Sequence, residues 1–124
     1  MLLLFAVLSC PVAYALDSYD EVCNAIRSGD ARQLATFFGS SVDLTVANQE
    51  DVYSKAQAEL IIKDFFSKNP PKSFALLHKG SSREGTVYGI GKLTTTQGKV
   101  FRTSFFLKLS GGRYLVQELR FETE

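Results

Sequence analysis

The hydrophobic and polar positions of residues 85–122 fall into three runs that are rich in β-branched and aromatic side chains. Such runs are typical of β-strands. The pairs Gln97-Gly98 and Gly111-Gly112 separate them and favour hairpin turns, because glycine adopts positive φ without steric cost. This part of the chain is therefore predicted to be a three-stranded antiparallel meander whose apolar face needs a cover.

Residues 18–38 repeat apolar side chains at helical spacing along one stripe. Ser18 and Glu21 form a capping box, which satisfies backbone N–H groups at a helix start. Gly29 can end a helix in the left-handed conformation, and Asp30 can cap the helix that follows. We expect a broken helix with one continuous apolar face.

A further helix is predicted over residues 54–68. Ser54 and Gln57 form a second capping box, and Pro70-Pro71 ends the helix because proline cannot continue it. The apolar arc is wide, so the helix is expected to be buried on most sides. The residues of this arc are Ala58, Leu60, Ile61, Ile62, Phe65 and Phe66.

Two shorter strands complete the pattern. Residues 42–46 alternate apolar and polar side chains, which suits an edge strand, and residues 73–79 form a strand before the meander. Helices thus precede a run of strands, which indicates an α+β fold with helices packed on one face of a curved antiparallel sheet.

The two turns of the meander decide which side chains face the core. A two-residue loop at Gln97-Gly98 turns Tyr88 and Ile90 inward, together with Phe101, Thr103, Phe105 and Leu107. A three-residue loop at residues 110–112 adds Leu115, Gln117, Leu119 and Phe121. A slip of one residue in this last hairpin would instead turn Tyr114, Val116, Glu118 and Arg120 inward, and would make Glu118 and Arg120 pocket candidates. We favour the first register because the second buries two charges.

Residues 2–8 are an unbroken apolar run that is too short to span a bilayer. Ala13-Tyr14-Ala15 follows, and an apolar run before a small-x-small site is typical of a secretory signal peptide. We expect residues 1–15 to be the signal peptide and residues 16–124 to be one exported domain, periplasmic or secreted. One alternative is a lipoprotein with lipidated Cys10, and another is a buried N-terminal helix, which Pro11 disfavours.

Charge and residue usage exclude several classes of function. The net charge is +1, without runs of like charge, so neither nucleic acid nor an anionic membrane surface is an expected partner. After cleavage Cys23 stands alone and is expected to be a buried, inert thiol. No metal-ligand cluster, phosphate-cradling loop or nucleophile elbow is present in the sequence, so no cofactor is predicted.

The broken N-terminal helix, the strand at 42–46, the Tyr53-Ser54 helix entry and the final Gly-Gly-Arg-Tyr-Leu-Val strand resemble the nuclear transport factor 2-like, or cystatin-like cone, superfamily. The resemblance is closest to a domain-of-unknown-function family of small secreted bacteroidete proteins. It implies a cone-shaped sheet with the N-terminal helices on its concave face, an apolar pocket and, often, a dimer through the sheet. The superfamily includes ketosteroid isomerases, polyketide cyclases, dehydratases and non-catalytic binding modules, so the fold does not decide the function.

Two functions follow as hypotheses. The first is non-catalytic binding of a small apolar ligand or a protein partner. Its pocket would be formed by Tyr88, Thr103, Gln117, Phe105 and Phe65. Its homodimer would use an outer sheet face with Val87, Leu93, Phe106, Tyr114 and Val116 beside Arg102, Lys108, Glu118 and Arg120.

The second hypothesis is an isomerase- or dehydratase-like enzyme. Its candidate residues are His78, predicted to lie across from Glu84, and Tyr88. The isomerase comparison calls for an Asp inside the cone, and no predicted inward strand position carries one. The sequence therefore favours the binding hypothesis.

Overall fold

A computed structural model describes residues 11–82 and 84–124 of the chain, with side chains from Ser18 onward. The apolar run at 2–8 and Cys10 lie outside the described residues. The elements are α1 (Pro11–Ser28), α2 (Ala31–Ala35), β1 (Phe38–Val46), β2 (Gln49–Ser54), α3 (Lys55–Lys68), β3 (Pro71–Ser81), β4 (Thr86–Thr95), β5 (Val100–Ser110) and β6 (Arg113–Thr123). The predicted α+β class, with helices on one face of a curved sheet, is confirmed.

The six strands form one sheet in the order β2-β1-β6-β5-β4-β3. Neighbouring strands are antiparallel except β1 and β6, which run parallel. The strand predicted at 42–46 lies within β1, which is internal, so its assignment as an edge strand was wrong. The edge beside it is β2, which returns from β1 through a turn at Ala47 and Asn48.

The N-terminal caps of α2 and α3 form as the sequence predicts. At the start of α3 the Ser54 and Gln57 side chains each accept the other's backbone N–H at 3.3 Å. Asp30 accepts the Gln33 N–H at 3.0 Å at the start of α2, after Gly29 at φ +67°. The capping box predicted at Ser18 and Glu21 is wrong as a helix start, because α1 begins at Pro11 and continues through Ser18.

The helical stripe also ends earlier than predicted. α2 stops at Ala35, and Phe38 already belongs to β1, where it lies beside Val116 of β6. Pairing with the sheet therefore replaces the last helical turn that the spacing of Phe37 and Phe38 favours.

The first hairpin of the meander has a three-residue loop instead of the predicted two. Thr95 N–H donates to the Lys99 carbonyl at 2.8 Å, and Gly98 takes φ +82°. Tyr88 consequently pairs with Phe106, not with Leu107. Since one residue of shift turns a strand over, every β4 side chain faces opposite to the prediction.

Glycines explain why the faces of β4 were misread. Its core-facing positions include Gly89 and Gly91, which have no side chain to reveal their orientation. A Cβ at Gly89 would overlap the ring of Phe105, and one at Gly91 would overlap backbone of β3 and the ring of Phe74. The rings of Phe105 and Phe74 therefore occupy the space that side chains at Gly89 and Gly91 would take.

The second hairpin combines the side-chain orientations of the two registers that the sequence left open. Ser110 pairs with Arg113 across a two-residue loop, so Tyr114 and Val116 face the core. A bulge at Gln117 then shifts the pairing, which turns Leu119 and Phe121 inward opposite Phe105 and Thr103. The charged pair at 118 and 120 thereby stays on the outer face.

The concave face and the helices enclose a dense apolar core. Phe65 of α3 packs against Phe101 and Phe121 of the sheet, with ring centroids 5.0 and 4.7 Å apart. From α1, Val22 and Ile26 are fully buried in the same core. Among the described residues, no helix combines the length and apolarity needed to cross a bilayer.

Candidate functional surfaces

The inside of the cone is packed where the ligand pocket was predicted. Thr103 and Phe105 have no exposed surface. The Thr103 hydroxyl donates to the Phe101 carbonyl of its own strand at 3.3 Å, so it presents no unpaired group to a ligand. Both residues belong to the core.

Two further pocket candidates point away from the interior, contrary to prediction. Tyr88 lies on the outer face of the sheet, where its ring is 5.9 Å from that of Phe106 and covers Gly80. Gln117 is the exposed residue of the β6 bulge. Their inward placement was predicted from two residues in the first hairpin loop of the meander and three in the second. The structure has three residues in the first loop and two in the second. Phe65 is the one predicted pocket residue that lines an open groove.

The candidate catalytic residues are not assembled into a site. His78 pairs with Ile90 on β4 and is exposed, whereas Glu84 lies in the β3–β4 connection, where its N–H reaches Ser82 Oγ at 3.4 Å. The prediction that His78 lies across from Glu84 is wrong, because β3 is longer than predicted and bulges at Leu77. In the described part of the chain, no hydrogen bond or ion pair links either residue to Tyr88.

Among the described residues, Tyr19 and Cys23 of α1 are the two whose pKa is clearly shifted from its ordinary value. The Tyr19 hydroxyl lies 2.6 Å from the Gly80 carbonyl and 2.8 Å from that of Tyr88, so it joins α1 to β3 and β4. Its burial raises its pKa in spite of these contacts. Burial also raises the pKa of the Cys23 thiol to about 11. The predicted burial of Cys23 is confirmed, and near neutral pH its thiol is protonated and a poor nucleophile.

The outer face of the sheet has two halves of opposite charge, and a short apolar strip lies within the basic half, on β4 and β5. The strip is formed by Tyr88, Ile90 and Phe106, with Phe106 37% exposed. The acidic half lies on β2, β1 and β6 and consists of Glu50, Asp43, Glu118 and Glu122 around Arg120. The basic half lies on β5 and β4 and consists of Arg102, Lys108 and Lys92.

Arg120 organises the acidic half. Its guanidinium nitrogens lie 3.1 Å from Glu122, 3.3 Å from Glu118 and 3.8 Å from Glu50. The contact with Glu122 is close but lacks hydrogen-bond geometry, since Arg120 Nε has no hydrogen-bond partner. In the same half, Thr45 Oγ1 and Asp43 Oδ1 are buried and also unpartnered among the described residues.

Sequence reasoning placed the charges of this face correctly but most of its apolar residues wrongly. Arg102, Lys108, Glu118 and Arg120 do face outward, as does Phe106. The other four apolar residues predicted there, Val87, Leu93, Tyr114 and Val116, are buried in the core. The burial of Val87 and Leu93 follows from the register of β4, and that of Tyr114 and Val116 follows from the two-residue loop before β6.

A groove of about 330 Å³ opens between the C-terminal half of α3 and the β1–β2 hairpin. Its walls include buried Leu44 and Phe65 and half-buried Tyr53 and Ile61. Its rim is polar and carries Gln49, Asp64, Lys68 and Asn69. Sequence reasoning missed this groove, although Asp64 and Lys68 lie at helical spacing beside the apolar arc of α3.

A second, wider depression of about 620 Å³ lies where the α1–α2 turn meets α3. Its lining mixes polar and apolar surface and includes the charged residues Asp30, Arg32, Glu59 and Lys63. Neither opening holds a metal-ligand set, and no group of three or more His, Cys, Asp or Glu in the described residues is arranged for a metal ion.

Comparisons with known proteins agree with this architecture. The model of the family described as "Domain of unknown function (DUF4783)" matches residues 19–122. The crystal structure of a DUF4783 protein from Bacteroides ovatus is 30% identical, covers 84% of this chain and 93% of its own, and has a TM-score of 0.78. One from Bacteroides uniformis is 28% identical, covers 85% and 95%, and has a TM-score of 0.79.

More distant structures agree in fold alone. A nuclear transport factor 2-like protein of unknown function from Shewanella baltica is 13% identical, covers 91% of this chain and 93% of its own, and has a TM-score of 0.66. No functionally curated protein matches the chain. The resemblance drawn from the sequence, both to the superfamily and to a domain-of-unknown-function family, is therefore confirmed.

Proposed function

The chain belongs to the DUF4783 family, whose function is unknown, and we propose that it is an exported, non-catalytic interaction module. Its binding surface is the outer face of the sheet, and the partner that binds there is a second copy of the same chain. The observation that carries this proposal is an outer face with an acidic half and a basic half, in which the basic half also contains the apolar strip of Tyr88, Ile90 and Phe106.

The charge distribution of this face supports pairing with itself. The acidic half has four carboxylates and one guanidinium, and the basic half has three cations, of which Lys92 forms an ion pair with Glu124 at 3.6 Å. A two-fold axis along the strands lays the acidic half of each copy over the basic half of the other, and such an isologous contact is the commonest way in which proteins dimerise. Complementary potentials favour this arrangement and disfavour the alternative in which like halves meet.

The acidic half also has unmet hydrogen-bonding capacity. Thr45 Oγ1 and Asp43 Oδ1 are buried without partners, and a buried polar atom left unpaired costs about 1–3 kcal/mol.

Two features argue against an enzyme. The interior of the cone around Thr103 and Phe105 is filled with side chains, and among the described residues no hydrogen bond or ion pair connects His78, Glu84 and Tyr88. A binding role needs neither an internal cavity nor a general base, so it fits this architecture better.

The assembly is tested by light scattering at micromolar concentration. Phe106→Glu is expected to reduce the mass to that of a monomer, because it places a charge in the centre of the strip. Leu60→Glu is the matched control, since Leu60 is also an exposed apolar residue, 65% exposed on α3, and lies on the other side of the molecule. A wild-type monomer, or equal effects of the two variants, would contradict the proposal.

Charge exchange tests the orientation of the dimer. One variant carries Lys92→Glu, Arg102→Glu and Lys108→Glu, and the other carries Glu50→Lys, Glu118→Lys and Glu122→Lys. Each is expected to be monomeric alone, because like charges then meet across the axis. The two variants mixed are expected to form a heterodimer, detected by native mass spectrometry. Homodimers of either variant alone would rule out this orientation.

Export rests on the signal-peptide pattern and agrees with a family match that begins only at residue 19. Intact-mass measurement of the exported protein is expected to show Leu16 as the first residue. A lipid adduct on Cys10 would instead make the protein a lipoprotein.

A further inference from the structure

We propose that the groove between α3 and the β1–β2 hairpin binds a small cationic amphiphile, namely a ring-bearing primary amine. This site is separate from the outer face of the sheet and does not depend on the proposed dimer. Its volume of about 330 Å³ lies at the lower end of the range of ligand pockets, about 300–1,000 Å³. A body of one or two fused rings suits a groove of this size.

The apolar part of the ligand is set by the walls. Leu44 of β1 and Phe65 of α3 form the buried floor, and Ile61 and Tyr53 stand at the sides with part of their surface exposed. A flat apolar body covers these side chains and removes them from water, which is the main favourable contribution in such pockets.

The charge of the ligand is set by the rim. Asp64 contributes a carboxylate at the groove, and Asp51 lies on the same face of β2, between Gln49 and Tyr53. The C-terminal end of α3 also borders the groove, and the negative end of a helix dipole favours cations. The rings of Tyr53 and Phe65 add faces that attract a cation further.

Lys68 is the one cationic side chain among the groove residues, and it is held by Asp64 at 3.0 Å. Both side chains of this pair are well exposed, at 72% and 63%. Exposed pairs at this helical spacing contribute little. A ligand ammonium can therefore replace Lys68 at Asp64, while the long lysine side chain returns to solvent.

Three indoles of similar size test the sign of the charge: tryptamine, which is cationic at pH 7, neutral tryptophol and the slightly larger, anionic indole-3-propionate. The chain has no Trp, so the fluorescence of the ligand can be followed without protein tryptophan. Tryptamine is expected to bind saturably at about 1 mM or below, tryptophol more weakly and indole-3-propionate most weakly. Tightest binding of the carboxylate, or saturation by none of the three, would overturn the proposal.

Two rim variants are expected to act in opposite directions. Asp64→Asn should weaken tryptamine about two- to five-fold and leave tryptophol unchanged, as for an exposed ion pair. Lys68→Gln should tighten tryptamine by a similar factor, because the competing cation is gone. A loss of tryptamine affinity in Lys68→Gln contradicts the inferred charge.

Neighbouring helix positions locate the site. Ile61→Arg places a cation in the wall and is expected to abolish tryptamine binding. Leu60→Arg makes the same change one residue away, outside the groove, and is expected to have no effect. Circular dichroism checks that both variants fold, and a folded pair with equal affinity for tryptamine would show that the ligand binds elsewhere.

Discussion

The two faces of the sheet are built from the same alternating strands but serve different purposes. On the concave face, Phe105 is fully buried under the helices, while its neighbour Phe106 lies 37% exposed on the outer face. The concave face excludes polar groups almost completely, whereas the outer face combines aromatic rings with charges of both signs. Burial on one side stabilises the fold, and partial exposure on the other leaves apolar surface in water, which is the surface that we propose binds a partner.

The sharpest way to break this comparison is to truncate the two adjacent phenylalanines. Phe105→Ala is expected to lower the free energy of unfolding by about 3–5 kcal/mol, because it leaves a cavity in a packed core. Phe106→Ala should cost less than about 1 kcal/mol in a monomer. Urea denaturation measures both, and Phe105→Leu provides a milder core variant if the alanine variant does not fold. Similar losses at 105 and 106 would mean that the faces are not distinct.

A second comparison adds one methyl group instead of removing a ring. Gly89→Ala is expected to cost about 1–3 kcal/mol, because the new Cβ overlaps the Phe105 ring and forces it to move. Gly39→Ala is the control, since its nearest neighbours would lie at 3.7 Å and beyond. Thermal unfolding at fixed protein concentration should show a lower Tm in the first variant alone; an unchanged Tm would refute the packing described for β4.

A third comparison removes one hydroxyl from each side of the sheet. Tyr19→Phe is expected to cost about 1 kcal/mol, since the hydroxyl at the Gly80 and Tyr88 carbonyls is lost from a buried position. Tyr88→Phe should leave the unfolding free energy nearly unchanged in a monomeric background. Chemical denaturation distinguishes the two, and an equal or larger effect at Tyr88 would argue against the orientation of the two tyrosines.

The smallest effect concerns the thiol beneath the concave face. The pKa of Cys23 rises from 9.0 to about 11 in the fold, so folding favours the protonated thiol. Its contribution to stability is therefore complete below pH 9 and is lost as pH rises through about 11. Comparing Cys23→Ala with the wild type from pH 8 to 11 should show the wild type losing its relative stability. A parallel pH dependence of the two proteins would exclude this linkage.

Alkylation gives an independent check on the same residue. Native protein at pH 8 is expected to react slowly with iodoacetamide, because the thiol is both buried and protonated. Denatured protein should react at the rate of a free cysteine, and rapid modification of the native protein would place Cys23 at the surface.

Local chemistry made much of the fold predictable. The Ser54–Gln57 box and the Asp30 cap depend on residues a few positions apart, so they appear in the structure where the sequence places them. The same holds for the α+β class, which follows from helical spacing in residues 18–38 and 54–68 and from strand patterns at 42–46 and from residue 73 onward. The candidate site was less predictable, because Thr103 and Phe105 were placed inward correctly but in a core without the expected opening.

By itself, the sequence determined the helices and the meander, since these follow from periodicity, caps and glycine turns, and its resemblance to a known superfamily indicated the cone-like fold. The tertiary structure alone decided which face of β4 is inner. Gly89 and Gly91 have no side chain that would mark their face as apolar, and the space beside them is filled by the rings of Phe105 and Phe74. The tertiary structure also decided that β1 lies parallel to β6, a pairing between distant segments that no local pattern encodes. The outer face and the groove both depend on how segments distant in the sequence pair and pack. The sequence alone therefore predicted the fold but did not predict the surfaces that we propose for function.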